Sequence, residues 1–220
     1  MAEHTSEVLS EERLKQAAEA FVRHGVDIRD RVHDLTLAAL KSRRFDRDAM
    51  RDVFRGITAG VATGAEGAPD MRQAIADGLK GMDEALARSA EAGAIALKQL
   101  ASTGKSFSDS ELKGALATLK RLEDDFVSTV SGVADAATGA VQPELRGALG
   151  NLTHTGTETG KKLALAMNDL THRFAVFSID ASIAGLEVAG EFGARFANLA
   201  SGILSGVADA LKKPEPPKAP

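Results

Sequence analysis

From Leu163 to Leu211 the chain carries one long helical pattern that is apolar over most of its circumference. Leu163, Met167, Leu170, Phe174, Phe177, Ala181, Ala184 and Val188 step by four and three, the spacing of a heptad seam. A second row, Val176, Ile179, Ile183 and Leu186, runs beside it. Asp169, Arg173, Asp180, Glu187, Glu191 and Arg195 also recur at helical spacing and leave a narrow polar stripe. An ordinary surface helix shows water about half its girth. This one must bury more, against other helices, another subunit or a non-aqueous surface.

The rest of the 220 residues also reads as helix, because alternating apolar and polar strand patterns are almost missing. Ser10, followed by Glu12 and Arg13, opens a helix that packs Leu14, Ala18 and Phe21 and stops near Gly25. Ile28, Val32, Leu35 and Ala39 mark a second, ending around Ser42. Asp46 is the expected N-cap of a third, with Met50, Phe54, Ile57 and Val61 on one face, and Gly64, Gly67 and Pro69 break it. Pro69 starts a long fourth helix that Gly104 ends. Ser108 and Glu111 have the capping-box spacing and open a fifth. A sixth follows Pro143, a Thr/Gly-rich run spans residues 153–160, and the final apolar element begins at Lys161. Residues 212–220 hold four prolines in nine residues and read as an extended, disordered tail. The expected fold class is all-α: an elongated bundle of long amphipathic helices with short N-terminal helices. The division expected is 1–45 as charged N-terminal helices, 46–140 as a first helical unit, 141–211 as a second unit with the long apolar helix, and 212–220 as tail.

An internal repeat underlies this order. Ala62-Thr63-Gly64-Ala65 recurs as Ala137-Thr138-Gly139-Ala140, and Pro69-Asp70-Met71-Arg72 parallels Pro143-Glu144-Leu145-Arg146. Phe54 with Gly60-Val61-Ala62 matches Phe126 with Gly132-Val133-Ala134, and Ser131–Ala136 reappears as Ser205–Ala210. Such self-similarity implies stacked helical units. Gly56, Gly60 and Gly64 lie four apart, as do Gly156 and Gly160, and Gly202 and Gly206, rows that let another backbone approach closely.

Composition narrows the function. The formal charge is −4, residues 56–140 are net acidic and no block is basic, so no electrostatic footprint for nucleic acid is present. Arg43, Arg44, Arg47, Arg51 and Arg55 gather on one stretch, but Asp46, Asp48 and Asp52 interleave them, which reads as a salt-bridged, solvated face. Without Tyr or Trp the chain is poorly equipped for aromatic pockets, and without Cys it has no disulfide or thiolate site, which fits a cytoplasmic protein. Glu3, Glu7, Glu11 and Glu12 rule against a secretory signal in this stretch, and the longest uncharged run, residues 196–208, is short of the roughly 18–20 that span a bilayer.

No catalytic motif emerges. Gly104-Lys105-Ser106 lacks the first glycine of a phosphate loop, since Gln99 holds that place, and Gly156–Gly160-Lys161 is one residue short and continues with Lys162. No pair among His4, His24, His33, His154 and His172 shares a helical face at ligand spacing. Asp30 with His33 and Asp169 with His172 have the three-residue step of a di-iron motif, but with Asp in place of Glu and no bridging pair, they read as surface contacts. The expectation is no catalytic residue, no cofactor and no metal.

Apolar Ala- and Gly-rich helices, free of Cys and Trp and closed by Lys212-Lys213-Pro214-Glu215-Pro216-Pro217-Lys218-Ala219-Pro220, resemble bacterial phasins, amphipathic helical proteins that coat polyhydroxyalkanoate granules. The resemblance is compositional and carries no motif or functional residue across; the breaks at Gly64–Pro69 and Gly139–Pro143 depart from it. It implies a non-enzymatic protein, cytoplasmic and peripheral to a lipid or polyester granule surface. The residues expected to bind that surface or a partner are Phe174, Phe177, Ile183, Val188, Phe192, Phe196, Leu199 and Ile203. The alternative is a soluble, self-associating helical scaffold, a homo-oligomer in which the same seam is an internal core.

Overall fold

A computed structural model describes residues 10–42, 47–102 and 109–173, together with Ala200 and Gly202. These residues form seven helices and no strand, so the chain is all-α: α1 (Glu11–His24), α2 (Ile28–Ser42), α3 (Arg47–Ala65), α4 (Met71–Ser102), α5 (Asp109–Ala136), α6 (Val141–Thr155) and α7 (Glu158–Arg173). α1 begins where the sequence pattern places it. The Arg13 N–H donates to Ser10 Oγ at 3.3 Å, Glu11 and Glu12 meet the positive end of the helix, and Arg23 and His24 meet the negative end. Leu14, Ala18 and Val22, four apart, form its buried face. α4 starts at Met71 rather than Pro69, because Asp70 accepts from the Gln73 N–H (3.0 Å) and so caps the helix from outside. The expected caps Asp46 and Ser108, and the Pro-rich tail, lie outside the described residues.

The helices pair into three consecutive hairpins, α1–α2, α3–α4 and α5 with α6 and α7, stacked side by side. α1 packs along α3 and α3 along α5; α2 packs along α4, and α4 along α6 and α7. Within each layer the neighbours run parallel. Glu11, Lys15 and Glu19 of α1 lie over Gly56, Gly60 and Gly64 of α3, and Arg29 and His33 of α2 lie over Gly81 of α4. In the other layer Arg72 bonds Glu144, Lys162 reaches Glu91 and Lys98 pairs with Asp169, a steadily parallel register over α4 (about 48 Å long). One apolar core passes through all of them, from Leu14 and Val32 through Phe54, Leu86 and Phe126 to Leu145 and Leu163. The N-terminal helices are therefore one more hairpin of the stack and share its core.

The repeat seen in the sequence has a structural counterpart. Phe54 and Phe126, equivalent residues, meet edge to face with ring centroids 5.7 Å apart, a contact worth about 0.5–1.5 kcal/mol beyond its area. The turns after α3 and α5 each place a glycine at positive φ, Gly67 (77°) and Gly139 (63°), a backbone region open to glycine at little cost. The halves differ in one respect. α4 is continuous, whereas the matching stretch breaks at Gly156-Thr157 into α6 and α7.

The glycine row on α3 is where two backbones come closest. A Cβ on Gly56 would stand 2.7 Å from the Glu11 carbonyl oxygen, and one on Gly64 would stand 2.7 Å from that of Glu19; at Gly60 it would overlap the Lys15 carbonyl oxygen and crowd Ala18 Cβ at 2.8 Å. Gly132, the Gly60 equivalent on α5, has nothing within 4 Å. Two substitutions of the same kind should thus act oppositely. Gly60→Ala is expected to cost about 2–3 kcal/mol because α1 must move away from α3. Gly132→Ala should stabilise by up to about 1 kcal/mol through helix propensity alone. Urea unfolding of both variants beside the parent checks the pair.

Candidate functional site

Two carboxylates on α4 and α5 hold the N-terminus of α7. Asp83, fully buried, accepts from the Glu158 N–H at 2.7 Å and the Thr159 N–H at 3.1 Å, while Thr159 Oγ1 donates to the Asp83 carbonyl at 3.0 Å. Thr157 is the local cap: its Oγ1 accepts from the Gly160 N–H at 2.9 Å and donates to Glu123. Gly160 lies against that same Glu123 carboxylate with no room for a Cβ. Four backbone donors at a helix start lack intrahelical partners, and here the fold supplies carboxylates to meet them. A phosphate loop over residues 156–161 is thereby closed off physically, since the place an anion would take is filled by Asp83 and Glu123. Burial pushes the Asp83 carboxyl above its ordinary range, against the opposing pull of the Glu158 and Thr159 hydrogen bonds.

A second buried carboxylate, Asp125 on α5, receives the N-terminal arginines of α3. Arg47 Nε donates to its two oxygens at 3.0 and 2.8 Å, Arg47 Nη2 adds a bond of 2.7 Å, and Arg51 Nη2 adds another of 2.7 Å. Burial works to raise this carboxyl, but the bonds and charges of Arg47 and Arg51 prevail and hold it below the usual carboxylate range. The arginine row is thus salt-bridged, as its interleaved charges suggest, with Arg55 reaching Glu11 (3.4 Å) and Asp52 (3.2 Å). Its principal acceptor is a residue the sequence pattern hides inside the acidic run Glu123-Asp124-Asp125. Arg43 and Arg44 lie outside the described residues.

A groove of about 800 Å³ runs along α4 from Lys80 to Ile95, walled by Arg29 and His33 of α2 and by Glu158 and Lys162 of α7. Its floor carries Ala87, Ala92 and Ile95. Beyond Ile95 it continues into a depression of about 240 Å³ beside Leu165, Ala166 and Asp169. Arg29 bonds Glu84 in a bidentate pair, with Nε to Oε2 at 2.9 Å, and Lys162 approaches Glu91 at 3.5 Å. His33 Nδ1 contacts Asp34 Oδ1 at 3.0 Å while its buried Nε2 has no partner. No group of three metal-ligating side chains occurs among the described residues. Of the two Asp–His steps in the sequence, His33 contacts Asp34 and Asp169 pairs with Lys98, while the side chain of His172 lies outside the described ones.

The expected surface-binding residues Phe174, Phe177, Ile183, Val188, Phe192, Phe196, Leu199 and Ile203 all lie outside the described residues, as does Gly104-Lys105-Ser106. Of the seam leading to them, Leu163 is buried in the core and Met167 packs at its edge, whereas Leu165 on the opposite side is 69% exposed. Ala200 is buried in the main core. Among the described residues no helix is long and apolar enough to cross a membrane. A model of a family of unknown function, DUF6781, matches residues 4–213. No curated protein and no solved structure matches the chain.

Removing the Asp83 side chain tests the junction. Asp83→Ala should cost about 2 kcal/mol by leaving two amides uncapped, and amides of α7 should exchange with deuterium about tenfold faster while those of α1 and α3 stay protected. The pH dependence separates the two carboxylates. A lowered folded pKa gives stability that is present above the unfolded Asp value, about 3.9, and is lost as pH falls through the folded value. Asp125→Asn should therefore cost about 1–2 kcal/mol at neutral pH, discounted because both arginines are partly solvated, and the difference from the parent should shrink as pH falls below about 4 and through the folded value. Asp83, shifted up, has the opposite sign: its contribution declines as pH rises from about 4 through its raised value. Chemical denaturation across that range measures both.

Proposed function

The chain belongs to the DUF6781 family, and we propose that it is a non-enzymatic helical protein of the cytoplasm whose C-terminal apolar segment, beginning at Phe174, attaches it to a lipid or polyester granule surface. The observation that carries this reading is a contrast. Among the described residues only Val26, Ile95 and Leu165 are exposed large hydrophobics, so the stacked hairpins are coated with charge. The apolar area that dominates the sequence lies beyond α7, where Phe174, Phe177, Ile183, Val188, Phe192, Phe196, Leu199 and Ile203 recur at helical spacing. Laying such a face on an apolar surface gains about 25 cal/mol per Å² covered, with Asp180, Glu187, Glu191 and Arg195 left toward water. The two buried carboxylates support the non-enzymatic part of the reading, because Asp83 and Asp125 are both fully engaged in holding helices together.

A second reading has its own support. Ala200 is buried in the same core as Leu14 and Phe54, which favours a scaffold that keeps part of this segment inside, alone or in a homo-oligomer. The two part company in one experiment. With phosphatidylcholine vesicles or isolated polyester granules, Phe174→Glu combined with Phe177→Glu should lower co-sedimentation about tenfold while thermal unfolding of the stacked hairpins stays put. A parent chain that never sediments with either surface, and gives a discrete multimer by light scattering, would instead establish the scaffold.

A further inference from the structure

The groove along α4 is charged at one end and apolar at the other, and its charges do not cancel. We propose that it binds a medium-chain carboxylate, with the head group on Arg88 and the alkyl chain laid over Ala92 and Ile95 toward Leu165. The site lies apart from the residues beyond Arg173, so it does not rest on the surface reading above.

Charge fixes the head group. Lys80, Glu84, Arg88, Glu91 and Ile95 step by three and four along one face of α4, and all five line the groove. Glu84 is held by Arg29 and Glu91 by Lys162, while Glu158 on the α7 wall pairs with Lys161 at 2.8 Å. Every acid lining the groove thus has its cation. Arg88 and Lys80 form no ion pair with any described residue, and Lys80 acts on Glu158 by charge without bonding it. Arg88 is half-buried. Its guanidinium is a rigid fork of donors that takes a carboxylate through two parallel bonds.

The apolar end fixes the tail. Arg88 to Ile95 is two turns of α4, about 10 Å. Ala92 lies between them, buried and too small to fill the space above it. Ile95 and Leu165 are two of the three exposed large hydrophobics among the described residues, and both line the depression into which the groove continues. The Lys98–Asp169 pair stands at its far end, about 15 Å from Arg88 along α4. An extended alkyl chain advances about 1.2 Å per bond, as an extended backbone does, so about eight carbons reach Ile95 and about twelve reach Lys98. A short anion would match Arg88 and leave Ile95 and Leu165 wet. A neutral or cationic amphiphile would cover those two and leave Arg88 unmatched.

Decanoate, titrated into the full-length chain below its micelle concentration, tests the site by calorimetry and by amide chemical shifts. It should bind and shift amides of residues 88–95 and 162–166. Each methylene added from hexanoate to decanoate should tighten binding about twofold, because an open-sided groove covers about half of the chain. Arg88→Gln should weaken decanoate at least about tenfold. Ile95→Ser with Leu165→Ser should weaken it at least about fivefold. Thermal unfolding should stay near that of the parent in both variants, since none of these side chains is buried. Phosphate or butyrate binding as tightly as decanoate would leave a plain anion site, and decyltrimethylammonium binding as tightly would leave an apolar patch. Either result overturns the proposal, as does an affinity indifferent to Arg88. A dimer that Arg88→Gln dissociates, with decanoate unbound, would put a second copy in the groove and overturn it too. Phe174→Glu with Phe177→Glu separates this site from the surface reading. Decanoate binding that survives that pair and is lost with Arg88→Gln supports the groove, whatever vesicles or granules do. Binding lost with the pair and kept in Arg88→Gln overturns the groove and leaves the surface reading standing.

Discussion

The buried carboxylate of Asp83 is what gives the C-terminal half its shape. The stretch after Pro143 breaks within its Thr/Gly-rich run, whereas α4, its counterpart in the repeat, continues as a single rod. Breaking a helix exposes amide donors at the new start, and inside a core that exposure costs about 1–3 kcal/mol per unmet group. Asp83 meets two of those donors, and Thr157, itself bonded to Glu123, meets a third. The break becomes a corner, α7 lies down along α4, and the groove between α2 and α7 exists because of it. The burial that raises the Asp83 pKa is the cost of placing a carboxylate there, and the two amides it receives are why the arrangement holds.

Small side chains set the other dimension of the fold. A stack of Ala- and Gly-rich helices has little large apolar volume, so it gains cohesion by bringing backbones close and covering what large residues it has. Phe54, Phe126, Ile57 and Leu86 are fully buried, while the exterior of the same helices is ion-paired. This explains why a chain so rich in apolar residues exposes few large apolar side chains among the described residues of its hairpins. It also sets apart the sequence beyond Arg173, where large apolar residues recur at helical spacing.

The helical order, the first cap and the repeat are legible in the residues themselves, because each rests on local spacing. Ser10 caps α1, Gly67 and Gly139 turn the chain, and α4 ends at Ser102, close to the expected stop. The buried acids are less legible. Asp83 falls four residues after Leu79 and three before Leu86, on the core seam of α4, and Asp125 adjoins Phe126 and follows Leu122 by three on that of α5. An acid at an apolar position is a signal, but reading it requires knowing which donor lies opposite, and those donors come from about 75 residues away. The stacking of parallel helices is likewise a long-range property. Offsets of 72 to 75 in the repeat hint at equivalence, yet it is the Phe54–Phe126 contact that shows two equivalents side by side.

The two copies of the small-residue row show what such rows can and cannot do. On α3, Gly56, Gly60 and Gly64 admit α1 to backbone contact; on α5 the same register reads Ser128, Gly132 and Ala136, and all three are exposed. On α5 only Gly132 lacks a Cβ, and nothing stands within 4 Å of the space it leaves. What differs is the partner face: α1 brings Leu14, Ala18 and Val22 to fill the space beside the row, and buries them completely or nearly so. A row without Cβ atoms therefore removes an obstacle and contributes little attraction of its own; the apolar side chains that flank it supply the free energy. By that criterion the exposed row on α5, with nothing within 4 Å of a Cβ placed on Gly132, has no such face beside it among the described residues.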